Sequence, residues 1–281
     1  MKNRRSPWLI AAVVFLVFPV KIAAGQAHRD GRWTKEFEAG TKAYENCDFA
    51  ASEIHLRKAL REAAAFELGN ERAVRTLNAL GMLYVTERRL EYAEVSFQRA
   101  CAIAEVWVGR ENAAYAECLH NRGVLAMMRT KSNNYDEAEG LFRQSLQLRQ
   151  KFLPSDELDI AASLSSLADL DTRRGRYDEA DSFLQRALTI REKALGSHHP
   201  AVAQTLNDVG LLRAAQGRAA EAEAEYQKAL DICRKSPRPP ACEVAVTLKN
   251  YAALLRANNR AAEAERLEAQ ALAMALRSTK E

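Results

Sequence analysis

Small residues recur at a regular interval along the chain, each inside a stretch whose apolar positions have a helical spacing. A first series has steps of 41, 42, 45, 42 and 42 residues: Gly40, Gly81, Gly123, Ala168, Gly210 and Ala252. A second series follows the first: Ser52, Ala93, Ala138, Ala180, Ala222 and Ala264. A third lies seven residues behind the second: Ala59, Ala100, Ser145, Ala187, Ala229 and Ala271. Three series in one register indicate an internal repeat of 42 residues.

Each copy of the repeat predicts two helices separated by a short turn. In the fourth copy the apolar positions follow the spacing of two helical faces, one on each side of Gly175. The residue five before the second small position is a type that favours a left-handed helix end in four copies: Asn133, Gly175, Gly217 and Asn259. Small residues let the two helices approach closely. The repeat is therefore a helical hairpin.

Such a hairpin cannot bury both of its faces alone, so the copies are expected to stack into one continuous core. The predicted fold is all-α, with six antiparallel helix pairs at about residues 33–69, 70–111, 112–156, 157–199, 200–240 and 241–277. Three extra residues in the third copy are assigned to a loop at Lys131 to Asn134. The sixth copy has Glu268 where the others have Leu, Phe or Tyr, which predicts a solvated end of the array.

The pattern of the second copy resembles the tetratricopeptide signature, although Leu77 stands where that family prefers Trp. The matching residues are Leu77, Leu80, Gly81, Tyr84, Ala93, Phe97 and Ala100. The period exceeds the usual one of about 34 residues, and the segment from Gly175 to Leu212 resembles the repeats of kinesin light chains and their bacterial relatives. This resemblance implies a right-handed superhelical solenoid, an architecture shared by proteins without a common reaction.

The first helix of each pair is expected to line the concave wall of the solenoid. We predict a partner-binding groove there, formed by Arg75, Asn78, His120, Asn121, Ser165, Asn207, Asp208, Lys249, Asn250 and Arg256. In related solenoids such Asn residues hold the backbone of an extended peptide, and a carboxamide offers both a donor and an acceptor for a peptide group. The alternative is that each Asn bonds to the neighbouring helix.

The amino terminus has the three parts of a secretory signal. Lys2, Arg4 and Arg5 precede an apolar run of 13 residues from Trp8 to Val20, and small residues end the segment at Ala27. The run is shorter than the roughly 20 residues that a membrane-spanning helix needs. We therefore expect a signal peptide at 1–27, cleaved near Ala27, a linker at 28–32 and a tail at 278–281, with an uncleaved inner-membrane anchor as the alternative.

The leader also changes the meaning of the net charge. The precursor carries +4, but four of its 41 basic residues lie in the leader, which leaves 37 basic against 37 acidic residues. A balanced chain lacks the charge expected of a nucleic-acid binder. The predicted partner is a protein or peptide, in an extracytoplasmic compartment.

Export makes disulfides chemically possible for the five cysteines. Cys101 and Cys118 flank one turn, Cys233 and Cys242 flank another, and residues equidistant from a turn can face each other in an antiparallel helix pair. We consider both pairs possible bridges, with Cys47 left over. The alternative is that these cysteines serve as small core residues.

The motifs of several enzyme classes are absent from the sequence, including the Gly-rich phosphate loop, G-x-S-x-G and H-E-x-x-H. His198, His199 and Pro200 are interpreted as a helix entry capped by Ser197, since two adjacent His lack a third metal ligand. Trp33 and Trp107 are expected to be buried. We predict no cofactor, no metal and no small-molecule substrate. The functional hypothesis is an exported, non-catalytic binding scaffold, with a cytoplasmic or membrane-anchored regulator as the alternative.

Overall fold

The computed structural model describes residues 31–64, 71–129, 135–154, 157–236 and 241–277, without the side chains of residues 108, 242 and 275–277. This part of the chain contains helices and no strand. Helix α1 covers residues 31–45. The other helices are α2 (Phe49–Ala64), α3 (Glu71–Thr86), α4 (Leu90–Val108), α5 (Ala113–Arg129), α6 (Asp136–Phe152), α7 (Leu158–Arg173), α8 (Tyr177–Leu195), α9 (Pro200–Ala215), α10 (Ala219–Lys235), α11 (Ala241–Ala257) and α12 (Ala261–Arg277).

The helices pack as consecutive antiparallel pairs that stack on one another. Each odd-numbered helix from α3 onward packs most extensively against the helix that follows it, and α3, α5, α7, α9 and α11 contact one another in succession. At the first pair, the indole Nε1 of Trp33 in α1 donates a hydrogen bond of 3.0 Å to Thr76 Oγ1 in α3. The prediction of an all-α solenoid of helical pairs is confirmed.

The turn inside each pair contains the predicted left-handed residue. Gly175, Gly217 and Asn259 have φ values of 76°, 75° and 61°, and Asn133 lies outside the described residues. Cys47 and Arg88 occupy the same register with φ of 59° although neither residue type favours this conformation. In each turn the following amide donates back across the turn, as Arg89 N does to Tyr84 O at 2.8 Å. The hairpin geometry therefore imposes the left-handed conformation on all five described turns.

The first series of small residues is where the two helices of a pair come closest. A Cβ atom built on Gly81 would lie 2.2 Å from the ring of Phe97, and one on Gly210 would lie 2.6 Å from the ring of Tyr226. In the fourth pair, Ala168 is accommodated because the smaller Leu184 occupies the place of the ring. Gly81, Gly123 and Gly210 thus make room for an aromatic side chain in the core, and Gly40 makes room for Leu56.

Arginine side chains join neighbouring pairs at two levels. Arg149 Nη1 in α6 donates to Asp159 O and Ser163 Oγ in α7, each at 2.7 Å. Arg191 makes the equivalent contact from α8 to Thr205 Oγ1 in α9 at 2.5 Å. Ion pairs recur at the turns, between residues that occupy the same two places in successive pairs: Arg89 with Glu53, Arg176 with Glu139 and Arg260 with Glu223. These contacts repeat with the period of the sequence.

The two ends of the array have distinct surroundings. Glu268 accepts hydrogen bonds of 2.9 and 2.7 Å from Arg256 on the surface of the last pair. Burial raises the pKa of Glu243 in α11, and the charge of Glu45 in the last turn of α1 adds to this effect, whereas Arg191 opposes it.

Three sequence predictions fall at the ends of the described chain. The signal at 1–27 and the tail at 278–281 lie outside it, and residues 31 and 32 of the predicted linker are already helical. Among the described helices, none combines the length and apolar character required to cross a membrane.

Candidate functional site

The inner helices form a groove that runs along the array and is lined by both polar and apolar side chains. It contains two adjoining cavities, of about 470 and 690 Å³, which share Met82 in their lining. Of the predicted groove residues, the first cavity is lined by His120, Ser165, Asn207, Asp208 and Asn250. The second is lined by Arg75, Asn78 and Asn121. Eight residues predicted from the repeat register thus converge on one continuous surface.

Lys249 and Arg256 do not line either cavity. Asn207 of the fifth pair accepts a hydrogen bond from Asn250 of the sixth pair. The repeat position of Asn207 therefore faces the pair that follows. Lys249 holds that place in the sixth pair, where no further pair follows in the described chain, and its side chain is exposed. Arg256 instead binds Glu268 of α12. Both residues belong to the end of the array rather than to the groove lining.

The four groove asparagines have different environments. Asn250 Nδ2 donates to Asn207 Oδ1 at 3.0 Å, and Asn207 Nδ2 donates to Asp208 Oδ1 at 3.3 Å. These two linked hydrogen bonds join α11 to α9, which agrees with the alternative that a groove Asn bonds to the neighbouring helix. Asn78 is only 3% exposed, and neither polar atom of its carboxamide has a hydrogen-bond partner among the described residues. Asn78 is thus the groove asparagine whose bonding capacity is unused.

Two further groove residues have buried polar atoms without a partner in the described chain, namely His120 Nδ1 and Ser165 Oγ. The His120 ring packs at 5.4 Å from the ring of Phe142. Burial lowers the pKa of His120 to about 3, and the charge of Arg149 acts in the same direction. The imidazole is therefore neutral at physiological pH and can accept or donate a hydrogen bond without carrying charge.

Carboxylates in the groove have raised pKa values. Although Asp208 retains some contact with solvent, it lies deep between the helices, and this desolvation raises its pKa to about 7. Asp169 and Glu243 raise the pKa of Asp208 further, whereas Arg191 and the amide of Asn207 oppose the shift. The ionised form of Asp208 is therefore disfavoured in the groove, where water is partly excluded.

A second acidic region lies in the larger cavity. Burial raises the pKa of Glu117, and the nearby Asp159 adds to this effect. Arg149, Asn78 and Arg75 act on the pKa of Glu117 in the opposite direction. Asn78 is thus close to Glu117, although no hydrogen bond of normal geometry joins the two side chains.

Several residues of this cavity were not predicted from the sequence. Glu117 and Asp159 belong to different registers of the repeat, so no periodic signal connects them. Trp107 was expected to be buried, but it is 45% exposed and lies in the last turn of α4. It lines the cavity together with Glu117 and Asp159. Trp33, in contrast, is 7% exposed, as expected.

The cysteine predictions are corrected by the structure. Cys101, Cys118 and Cys233 are free thiols, so neither predicted bridge is formed. Cys101 and Cys118 do face each other within hydrogen-bonding reach, and they pack in one apolar cluster with Val74 and Leu77. They behave as small core residues. Cys47, expected to be left over, is disulfide-bonded, and its partner is not among these three.

The segment at His198, His199 and Pro200 is a helix entry, but its cap differs from the prediction. Helix α9 begins at Pro200, and His199 Nδ1 accepts a hydrogen bond of 3.1 Å from Ala201 N. Ser197, the predicted cap, instead contacts His198 Nδ1 at 3.1 Å. In the described part of the chain, no group of three His, Cys, Asp or Glu residues is arranged to hold a metal ion.

Stacked helical pairs around a groove define the class of α-solenoid proteins. A family model described as tetratricopeptide repeat matches residues 115–193, 159–235 and 203–277. These matches cover more than half of the chain, so this protein belongs to the tetratricopeptide repeat family. Proteins of this family generally bind protein or peptide partners and are generally non-catalytic scaffolds.

Solved structures with the same fold have little sequence similarity to this chain. BtubC (BKLC) from P. vanneervenii is 15% identical, with a TM-score of 0.57 over 90% of this chain and 93% of that one. A Rap protein complexed with Competence and Sporulation Factor is 15% identical, with a TM-score of 0.71 over 90% of this chain and 66% of that one. Putative kinesin light chain repeats from Podosopora anserina are 22% identical, with a TM-score of 0.51 over 74% of this chain and 97% of that one. No curated protein has significant sequence similarity to this chain.

Proposed function

We propose that this protein is a non-catalytic adaptor that holds an extended segment of a partner protein in its groove, outside the cytoplasm. The observation that carries the binding function is the continuous groove, in which Asn78 offers a buried donor and acceptor without a partner in the described chain. A carboxamide in this state matches a peptide group, and leaving it unpaired costs free energy. Binding of an extended backbone would satisfy it.

The length of the groove favours an extended ligand over a compact one. Lining residues come from five inner helices, α3 to α11, and they alternate polar groups with apolar ones such as Met82, Val124 and Leu211. An extended peptide presents backbone polar groups and side chains alternately along such a surface. Methionine adapts its shape to different side chains. The composition of the groove therefore supports a peptide with mixed side chains.

The experiment compares two double variants in crosslinking and affinity measurements on the native compartment. Asn78→Ala with Asn121→Ala is expected to remove partners and lower affinity with little effect on thermal stability. Asn207→Ala with Asn250→Ala is expected to lower both the affinity for the partner and the thermal stability, because these two residues also bond to each other. If combining all four substitutions left the partners and their affinity unchanged, the groove would not be the binding site.

Export is supported by the three-part leader at 1–27, in which the basic start, the apolar run and the small residues near Ala27 follow the order of a signal peptide. Cell fractionation with sequencing of the mature amino terminus tests this. A terminus near His28 in an extracytoplasmic fraction is expected. Retention of the leader in the membrane fraction would establish the anchored form, and an intact leader in the cytoplasm would establish a cytoplasmic regulator.

A further inference from the structure

We propose that the larger cavity of the groove is a subsite for a basic side chain of the partner, Lys or Arg, seated against Trp107 with Glu117 and Asp159 as counter-charges. This inference rests on the proposed function, since it specifies the chemistry of the segment that the groove binds. It concerns the part of the groove between the second and fourth helical pairs.

The first observation is the charge balance of this cavity. Its lining contains three carboxylates, Glu71, Glu117 and Asp159, and one cationic side chain, Arg75. The guanidinium of Arg75 already lies over the rings of Trp33 and Phe37, at 5.6 and 5.2 Å from their centroids. Within the described residues neither Glu117 nor Asp159 forms an ion pair. The lining of the cavity therefore contains more carboxyl groups than its one cationic side chain can pair with.

Arg149 is the other cation near Glu117, and it does not line the cavity. Its Nη1 atom donates to the carbonyl of Asp159 and the hydroxyl of Ser163, which are neutral acceptors. Its charge lowers the pKa of Glu117, yet the net effect of burial and Asp159 is still a raised pKa. A cation brought by a ligand would favour the ionised carboxylate in this partly desolvated place.

The second, independent observation is the unused carboxamide of Asn78 in the same lining. Asn78 is only 3% exposed, and both polar atoms of its side chain lack a partner in the described chain. A peptide group offers one acceptor and one donor to such a side chain. Asn78 would thus fix the backbone next to the basic residue, close to Glu117.

Trp107 decides between a basic side chain and a bare cation. Nearly half of this aromatic residue is exposed at the edge of the cavity, where a large apolar surface in water is unfavourable. The aliphatic stem of Lys or Arg can cover a ring, and the cationic group is attracted by its face. A hydrated inorganic ion would gain neither contact. The combination of ring, carboxylates and carboxamide fits a Lys or Arg residue within a peptide.

The test selects ligands from a displayed library of random nine-residue peptides on the immobilised full chain. Nine extended residues span about 30 Å, enough to follow several inner helices. We expect the selected peptides to share Lys or Arg at one position. A synthetic selected peptide is then measured by fluorescence anisotropy against three variants, Trp107→Ala, Glu117→Gln and Asp159→Asn.

Each of these variants is expected to bind the selected peptide about three- to tenfold more weakly than wild type does. A peptide with Gln in place of the basic residue should bind wild type and variants equally. Glu179→Gln, at an exposed acid of the outer helix α8 that lines neither cavity, is the matched control and should leave affinity unchanged. Circular dichroism melts establish that every variant is folded.

The outcomes separate this inference from the proposed function. One outcome would overturn the subsite and leave the proposed function standing. In that outcome, the selected peptides bind wild type more tightly than the variant with the four groove asparagines replaced. They share no basic position, however, and their affinity does not depend on Trp107, Glu117 or Asp159. Failure to enrich any peptide on wild type relative to that four-Asn variant would overturn the peptide-binding function, and the subsite with it.

Discussion

Arg88 shows how the hairpin turn can force a residue into a conformation that its side chain disfavours. Its φ is 59°, in the register where the fourth and fifth pairs have Gly175 and Gly217. A left-handed conformation costs a non-glycine residue about 1 kcal/mol. The side chain of Arg88 is exposed, and it forms no hydrogen bond or ion pair with another described residue that would offset this cost.

We expect Arg88→Gly to raise the free energy of unfolding by about 0.5–1 kcal/mol, because glycine adopts this conformation without strain and loses only part of the gain to its freer unfolded chain. Urea denaturation measures the change. Arg88→Ala, which retains a Cβ atom, is the control and should give no such gain. An equal gain from both variants would show that the turn is unstrained.

Asp208 is a second residue whose surroundings oppose its preferred state. Its folded pKa of about 7 lies above the value of about 3.9 expected in the unfolded chain. Between these values the folded state binds more protons, so the contribution of Asp208 to stability falls as pH rises through this window.

We expect Asp208→Asn to match wild-type stability near pH 4 and to exceed it above pH 7, by on the order of 2 kcal/mol after allowing for partial exposure to solvent. Unfolding curves at both pH values give the difference. Asp231→Asn is the matched control, since Asp231 is exposed on α10 and pairs with Arg234 at 2.9 Å. If the difference in unfolding free energy between Asp208→Asn and wild type did not change with pH, the raised pKa of Asp208 would be contradicted.

At the scale of the element, each helical pair depends on one close approach. Gly81 faces the ring of Phe97 so closely that a methyl group cannot be added without movement. Ala168 fills the same place in the fourth pair because Leu184 replaces the ring. The residue on the first helix and its neighbour on the second are therefore coupled.

We expect Gly81→Ala to lower the free energy of unfolding by about 1–3 kcal/mol through overpacking. In a Phe97→Leu background the same change should cost less, which a double-mutant cycle in urea measures. Gly140→Ala in α6 is the control. Apart from its chain neighbours and the backbone of its own helix, no described atom lies within 4 Å of the added Cβ there, so this substitution should stabilise the protein by about 0.5–1 kcal/mol. A cost at Gly81 that is independent of residue 97 would contradict the coupling.

At the scale of the whole molecule, a stack of helical pairs curves, and here α3, α5, α7, α9 and α11 contact one another in succession. The curvature gathers groove residues from five inner helices into one surface. Cys47 of the first pair is disulfide-bonded, whereas Cys101, Cys118 and Cys233 are free thiols.

We expect alkylation of the denatured, unreduced protein to label Cys101, Cys118 and Cys233 and to leave Cys47 unlabelled, because only the last is disulfide-bonded. Peptide mass spectrometry of the unreduced digest identifies the cysteine joined to Cys47. The reduced sample, in which all five cysteines react, is the control. Labelling of Cys47 without reduction, or a crosslink between Cys101 and Cys118, would contradict this assignment.

Much of the fold and part of the candidate site could be predicted from the sequence. The helical pairs, the turn residues such as Gly175 and the inner position of Asn78 all depend on spacing within one repeat. The acidic cavity could not be predicted, because Glu117 and Asp159 come from different registers. Lys249 holds a groove position in the one pair that has no successor in the described chain, so the repeat register could not predict that its side chain is exposed.

The sequence by itself determined the period, the helical pairing and which face of each first helix points inward, because these follow from local spacing and from the room that residues such as Gly81 leave. The tertiary structure alone decided that Asn207 bonds Asn250 while Asn78 stays unpartnered in the described chain, that Trp107 is exposed beside Glu117, and that Cys47 rather than Cys101 is bridged. These facts depend on the curvature and offset between successive pairs. Small changes in both accumulate along the array and are not encoded in any single repeat.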